Sequence, residues 1–326
     1  MSCTSDQQPY AAQASTTSRP TIRLSPQAKG GLLLLAAIMI WGANWPVMKL
    51  GLSHVSPLWF SATRFASGAL CLFALQLMTG TLRLPTLADM PLIVSVGLLQ
   101  MLAFTALGAL AMTHIEAGRA ILAYTTPLWV TPVAIIVLRE KLSARQLMGT
   151  ALGVVGVLVL FNPLTLDWGD GVLVKANLML LLALFCWAMC ILHLRHSRAK
   201  ATAYQLAPWQ MLLATLPLAG LARWIEGPFS GDGSNTLWTV LLFVGPLATA
   251  FCFCAVNAAS MWLSSTSMSS AMLAVPVVGL LMSVFFLGES LTPALVIGIL
   301  SIVGGILVVT VSASNKSVTG DGNPAK

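Results

Sequence analysis

Charged residues in this chain are spaced so that long stretches contain none. Runs free of Asp, Glu, Lys and Arg cover residues 30–48, 65–82, 90–115, 120–138, 146–166, 176–194, 201–222, 233–288 and 290–315. A helix needs roughly 20 predominantly apolar residues, within about 17–25, to cross the hydrocarbon of a bilayer. Eight of the runs are about one span long. The run 233–288 holds 56 residues and divides at the small polar stretch 264–270 into two spans. The pattern predicts an all-α integral membrane protein with ten transmembrane helices. Outside the spans, residues 1–29 are rich in Ser, Thr, Gln and Pro, and residues 313–326 are short and polar, so both tails are expected to be disordered. Arg19, Arg23 and Lys29 before the first run resemble the start of a signal peptide. The run then continues past Trp41 and Trp45 without a small-residue cleavage site, which makes it the first anchor.

Composition agrees. Only 8% of the 326 residues are charged, 57% are hydrophobic, and the mean hydropathy is +0.86. A water-facing surface takes about 25% charged residues. A soluble enzyme, a disordered chain and a nucleic-acid-binding protein are therefore excluded, and the partner of the surface is a lipid bilayer. Cytoplasmic loops collect Lys and Arg. With the N-terminus inside, the inner segments hold Arg19, Arg23, Lys29, Arg83, Arg139, Lys141, Arg145, Arg195, Arg198, Lys200, Lys316 and Lys326, which are twelve of the 17 basic residues. The expectation is a multi-pass protein of the cell (inner) membrane with both termini cytoplasmic, and the net charge of +7 is a topology signal.

The chain also repeats itself. Pro127, Glu140, Leu142, Gly149 and Gly156 recur as Pro276, Glu289, Leu291, Gly298 and Gly305, every pair 149 residues apart. Residues 30–166 and 172–312 are then two five-helix repeats. Five is odd, so the second repeat threads the membrane in the opposite sense, with Glu140 at the cytoplasmic face and Glu289 outside. Inverted repeats related by a pseudo-two-fold axis in the membrane plane are a recurrent plan of secondary transporters, with the substrate site at their interface.

Several of these residues carry a resemblance. Trp41-Gly42-Ala43-Asn44 with Lys49, Pro57 with Arg64-Phe65, Ala117-Gly118-Arg119-Ala120, Pro127-Leu128-Trp129 and Glu140, and the later Pro276 and Gly288-Glu289-Ser290-Leu291 are similar to the EamA type of the drug/metabolite transporter superfamily. The resemblance covers about residues 30–312 and departs from the pattern at Arg119 and Ser267. It implies ten helices and gradient- or proton-driven export of small metabolites.

Ionisable groups inside lipid cost about 2.5–3.5 kcal/mol at mid-span. Lys49 at the end of the first span and Arg64 about two turns into the second are therefore candidates to attract a carboxylate or phosphate of the substrate. Snorkelling to headgroups is the alternative for Lys49, and capping of helix-end carbonyls for Arg64. Trp41, Asn44, Trp45 and Met48 share one helix face at i, i+3, i+4 and i+7. Aromatic walls with one polar group suit a small-molecule pocket, and ordinary helix packing gives the same spacing. Gln100, Phe104 and Trp187 are further candidates. Pro127 and Pro276 are matched helix breaks, the feature that points to a binding site or hinge in repeat transporters. Glu140 and Glu289 sit at helix ends, where capping competes with proton coupling.

Cys186, Cys190 and His193 have a spacing that suits a metal but lack a fourth ligand, so neither metal nor cofactor is expected. No clustered nucleophiles or acids support an embedded enzyme, leaving a passive channel or scaffold as the rival to a carrier. The expected partner is a small amino-acid-like or amphipathic substrate, with possible proton coupling, in a monomer or homodimer.

Overall fold

A computed structural model of the chain describes residues 25–115, 144–161, 168–197, 199–263, 268, 271–272, 274–288 and 290–320. Among these residues every regular element is a helix: α1 Pro26–Gly51, α2 Pro57–Met78, α3 Met90–Met112, α4 Ala144–Phe161, α5 Gly171–His196, α6 Ala203–Ile225, α7 Asn235–Ala259, α8 Ala274–Leu287 and α9 Pro293–Gly320. Five of them, α1, α2, α3, α5 up to Leu194, and α7, are long and apolar enough to cross a membrane. α6 has the length but is more polar, carrying Gln205, Gln210 and Arg223. Shorter apolar stretches cover Leu147–Gly156, Ala274–Leu287 and Pro293–Val308. The span expected at 120–138, with Pro127 and Glu140, and the matching Glu289 lie outside the described residues.

Short polar sequences start the helices. Ser25 accepts from the Ala28 amide at 3.2 Å ahead of Pro26, and Asp170 accepts from Val172 and Leu173 at 2.9 and 3.2 Å. Thr202 and Gln205 close a reciprocal capping box on α6, and Ser234 caps α7. Each satisfies amides that the first turn leaves without a partner. Arg64 lies inside α2, so that helix begins two turns before the charge-free run does. It ends at Gly80, whose φ of 63° continues no helix.

α2 and α6 pack antiparallel along the centre of the molecule, around Phe65, Leu72, Met211, Ala214 and Leu218. A carboxylate lies at each end of the pair. Where α6 finishes, Glu226 accepts from the Ser56 hydroxyl at 2.5 Å and from the Leu58 and Trp59 amides at 2.8 and 3.1 Å, the free amides at the start of α2. At the opposite end, Asp89 accepts from the Lys200 and Ala201 amides at 2.8 and 3.0 Å, just ahead of α6. Its second oxygen accepts from the Thr86 amide and hydroxyl at 2.9 and 2.7 Å. These donors hold the Asp89 carboxyl far below the usual carboxylate range, the Thr86 hydroxyl contributing most. His54 Nδ1 and Asp232 share a 2.6 Å hydrogen bond beside the Glu226 end, and that hydrogen bond is the main reason the Asp232 pKa falls to about 2.

α4 and α9 meet through glycines. A Cβ added at Gly156 would lie 2.7 Å from the Gly298 carbonyl oxygen, and one at Gly305 would lie 2.5 Å from that of Gly149. Both distances are too short for any side chain, so only glycine permits this approach.

Two of the long helices change their winding halfway. α3 is π-helical over Val96–Phe104, and α7 over Phe243–Phe251. Within α7 the Thr249 hydroxyl donates to the Val244 carbonyl five residues back, at 2.7 Å. A glycine near the start of each segment crosses the central pair. A Cβ on Gly97 would come within 3.1 Å of the Gln210 carbonyl of α6, and one on Gly245 within 3.0 Å of the Arg64 carbonyl of α2. π segments inside α-helices are rare and concentrate at functional sites.

Candidate functional site

A cavity of about 400 Å³ lies between the two π segments. Its walls come from α1, α2, α3, α5, α6, α7 and α8. Seven of the eight side chains singled out in the sequence line it: Trp41, Asn44 and Trp45 from α1, Arg64 from α2, Gln100 and Phe104 from the π segment of α3, and Trp187 from α5. The α1 residues converge because i, i+3 and i+4 share a helix face. Phe104 and Trp187 stack tilted at 4.7 Å between centroids. Met48, Met101, Met211 and Met272 supply much of the remaining surface. Thioether side chains adapt to irregular apolar ligands.

The eighth candidate, Lys49, does not line the cavity. Its ammonium donates to the Met112 carbonyl and, at 2.5 Å, to the Ile115 carbonyl, at the end of α3. A cation there satisfies carbonyls that the last helical turn leaves open and complements the helix dipole. Its stem bends back to a neighbouring helix instead of reaching for headgroups.

Arg64 is held from two sides. Its Nε donates to the Thr249 hydroxyl at 3.0 Å, and its Nη1 approaches the Met48 sulfur at 3.3 Å. The Thr249 hydroxyl spends its own hydrogen on Val244, so the π turn of α7 fixes the acceptor that orients the guanidinium. Trp41 is fixed by the same segment, its indole N–H donating to the Ala248 carbonyl at 2.8 Å. Asn44 is 6% exposed. Its Nδ2 donates to the Met48 sulfur at 3.2 Å, and its Oδ1 has no donor among the described residues. No Asp or Glu lines the cavity among those residues. Among the described residues the wall is thus largely apolar and aromatic, with one guanidinium, the Asn44 and Gln100 amides and the Thr105 and Thr249 hydroxyls, a composition that suits an amphipathic molecule with an anionic end.

Pro276, expected as a matched break, lies in the first described turn of α8. Pro276 is buried within α8, next to Val275 of the cavity wall, and the helix continues through to Leu287. The irregular turns beside the cavity are the π segments. Pro127 lies outside the described residues. On α5, the Cys190 thiol donates to Gln100 Oε1 at 3.7 Å and His193 pairs with the Ser95 hydroxyl at 2.7 Å, so these side chains tie α5 to α3. Among the described residues no three metal-capable side chains cluster.

The model of the EamA-like transporter family matches the chain twice, over residues 28–162 and 174–311. The chain belongs to the EamA-like transporter family. Membership makes it a multi-pass membrane transporter rather than an enzyme. Among curated relatives, an uncharacterized transporter of Bacillus subtilis, YoaV, is 26% identical over 87% of this chain and 98% of its own length. A probable amino-acid metabolite efflux pump of Salmonella typhimurium is 28% identical over 86% of this chain and 94% of its own. A probable terminal-alkyne amino-acid exporter of Streptantibioticus cattleyicolor is 26% identical over 84% and 91%. A crystal structure of a protein aligns with a TM-score of 0.60 and 23% identity, over 88% of this chain and 98% of that one, which shows the fold.

Several residues of this EamA-like chain escaped the sequence reading. Thr249 carries no local mark, since a hydroxyl in an apolar helix is commonplace. Met48 was visible only as the fourth member of the α1 face. Glu226 and Asp89 lie in loops, where an acid is unremarkable until the distant amides that it accepts from are known.

Proposed function

We propose that this chain is a secondary transporter that exports a small amphipathic, amino-acid-like metabolite by alternating access, in the cell (inner) membrane with both termini cytoplasmic. One observation carries the reading. The cavity holding Arg64 lies between two π segments, Val96–Phe104 and Phe243–Phe251, that sit 147 residues apart, close to the 149-residue register of the repeat.

Two five-helix halves, residues 30–166 and 172–312, threaded in opposite senses account for the packing. Under a two-fold axis in the membrane plane, a contact between a residue of one half and a residue of the other implies its mirror contact. Gly156 on Gly298 and Gly305 on Gly149 form such a pair, since Gly149 corresponds to Gly298 and Gly156 to Gly305. α3 crossing α6 at Gly97 and α7 crossing α2 at Gly245 form another. Names of the relatives from Salmonella and Streptantibioticus favour amino-acid-like cargo and outward transport. Arg64 supplies the charge that attracts a carboxylate. Proton coupling is part of the reading, with no residue assigned as its carrier.

The test is counterflow in proteoliposomes with a panel of amino acids, nucleosides and cationic drugs. A carrier saturates with one class and shows counterflow. Linear, non-saturating flux means a channel. Accessibility of single cysteines placed at Glu140 and Glu289 tests the threading, and labelling of both from the same side overturns the inversion.

A further inference from the structure

In the wall of the cavity, Asn44 Oδ1 is a buried acceptor that has no donor among the described residues. A buried oxygen with no donor is costly, and a ligand that supplies the donor recovers that cost. The other end of the same amide, Nδ2, points to the Met48 sulfur at 3.2 Å, and Arg64 Nη1 approaches that sulfur at 3.3 Å. Two donors, one of them cationic, therefore converge on a single weak acceptor. Side by side with them stands an empty acceptor.

We infer that Asn44 reads both charged groups of an α-amino acid. The substrate carboxylate takes the place of the Met48 sulfur as acceptor for Asn44 Nδ2 and Arg64 Nη1, and the substrate ammonium donates to Asn44 Oδ1. A primary amide carries its donor and acceptor on one carbon, at nearly the separation of the carboxylate oxygen and the ammonium nitrogen of an α-amino acid. Compounds whose amine stands several carbons from the carboxylate cannot reach both. The apolar side chain of the substrate then lies against Phe104, Trp187 and Met101. This inference rests on the carrier reading above and adds the feature of the substrate that is recognised and the residue that recognises it.

The experiment is competition against counterflow of labelled 2-aminohexanoate in proteoliposomes holding the full chain. The competitors are unlabelled 2-aminohexanoate, its isomer 6-aminohexanoate, and hexanoate, which lacks the amine. In the unmodified protein the α-amino acid competes roughly ten- to hundred-fold better than either analogue, as expected when a buried acceptor is left without its donor. In Asn44→Leu that preference over hexanoate falls to within about three-fold. The isomer ratio on the unmodified protein does not depend on how the variant folds. Equal competition by 6-aminohexanoate or hexanoate in the unmodified protein overturns the inference and leaves the carrier standing, as does an Asn44→Leu protein that keeps the full preference. Absence of saturable counterflow for 2-aminohexanoate and every other compound of the panel overturns the carrier reading itself.

Discussion

Two groups of polar side chains lie within the same helical frame and are treated in opposite ways. At the ends of the α2–α6 pair, the Glu226 and Asp89 carboxylates accept three and four hydrogen bonds. In the cavity wall, Arg64 and Asn44 share one sulfur atom and Asn44 Oδ1 accepts nothing among the described residues. Saturated carboxylates at helix starts hold a frame together, because each unmet amide they satisfy is one that lipid or a dry interface cannot. The unsaturated amide of Asn44 stabilises nothing by itself and leaves an acceptor in the cavity wall that a ligand can fill. Transport should therefore depend on the second group and folding on the first.

The largest expected effect separates the two at once. Arg64→Ala lowers saturable counterflow by about ten- to hundred-fold, the weight of a charge-assisted hydrogen bond to a carboxylate. Purified in detergent, the variant keeps a monodisperse elution profile. A normal transport rate would remove Arg64 from the site. Glu226→Ala makes the opposite change. It destabilises the protein by about 1–2 kcal/mol, as loss of a helix-start acceptor does, while counterflow per folded molecule stays at the level of the unmodified chain. Thermal unfolding in detergent and counterflow on the same preparation check both halves of the claim.

The Asp89 tie should show its own pH signature. The folded carboxyl is held far below its ordinary value near 3.8. The stability it contributes is thus fully present above that value and is lost as pH falls below it. Asp89→Asn lacks the charge and so lacks this contribution. The gap in melting temperature between the unmodified chain and the variant is therefore widest at pH 7 and narrows as pH falls below about 4. A constant gap between pH 7 and pH 3 would mean that the charge of Asp89 is not what secures the segment ahead of α6.

This contrast also sorts what could be seen in the sequence. Helix positions were legible because the requirement for apolar length is local, and charge-free runs state it directly. Members of the cavity wall were legible where a residue broke its surroundings: Arg64 as a charge in an apolar run, Asn44 as an amide among tryptophans. Lys49 met the same criterion but does not line the cavity. Its partners are the Met112 and Ile115 carbonyls, more than sixty residues away, so only the packing of α1 on α3 could reveal them. The π segments left no local trace beyond Gly97 and Gly245, because a wider turn is imposed by the helices that cross there. Glu226 and Asp89 were illegible for the same reason, since each accepts from amides supplied by a distant part of the chain.

The smallest effect bears most directly on how the cavity waits for its ligand. Met48 is 3% exposed and places its sulfur between Asn44 Nδ2 and Arg64 Nη1. Leucine keeps most of the bulk and removes the acceptor, and swaps of this kind usually cost less than about 1.5 kcal/mol of stability. In Met48→Leu the empty protein loses a weak acceptor for two donors, whereas the loaded protein, with a carboxylate in that place, loses nothing. The loss falls on the empty state alone, so binding gains by it. At about 0.5–1 kcal/mol for a weak hydrogen bond, the half-saturating concentration of 2-aminohexanoate drops roughly two- to five-fold. A rise instead of a drop would mean that the thioether touches the substrate in the loaded state, and the carboxylate would then have to be held by Arg64 without displacing it.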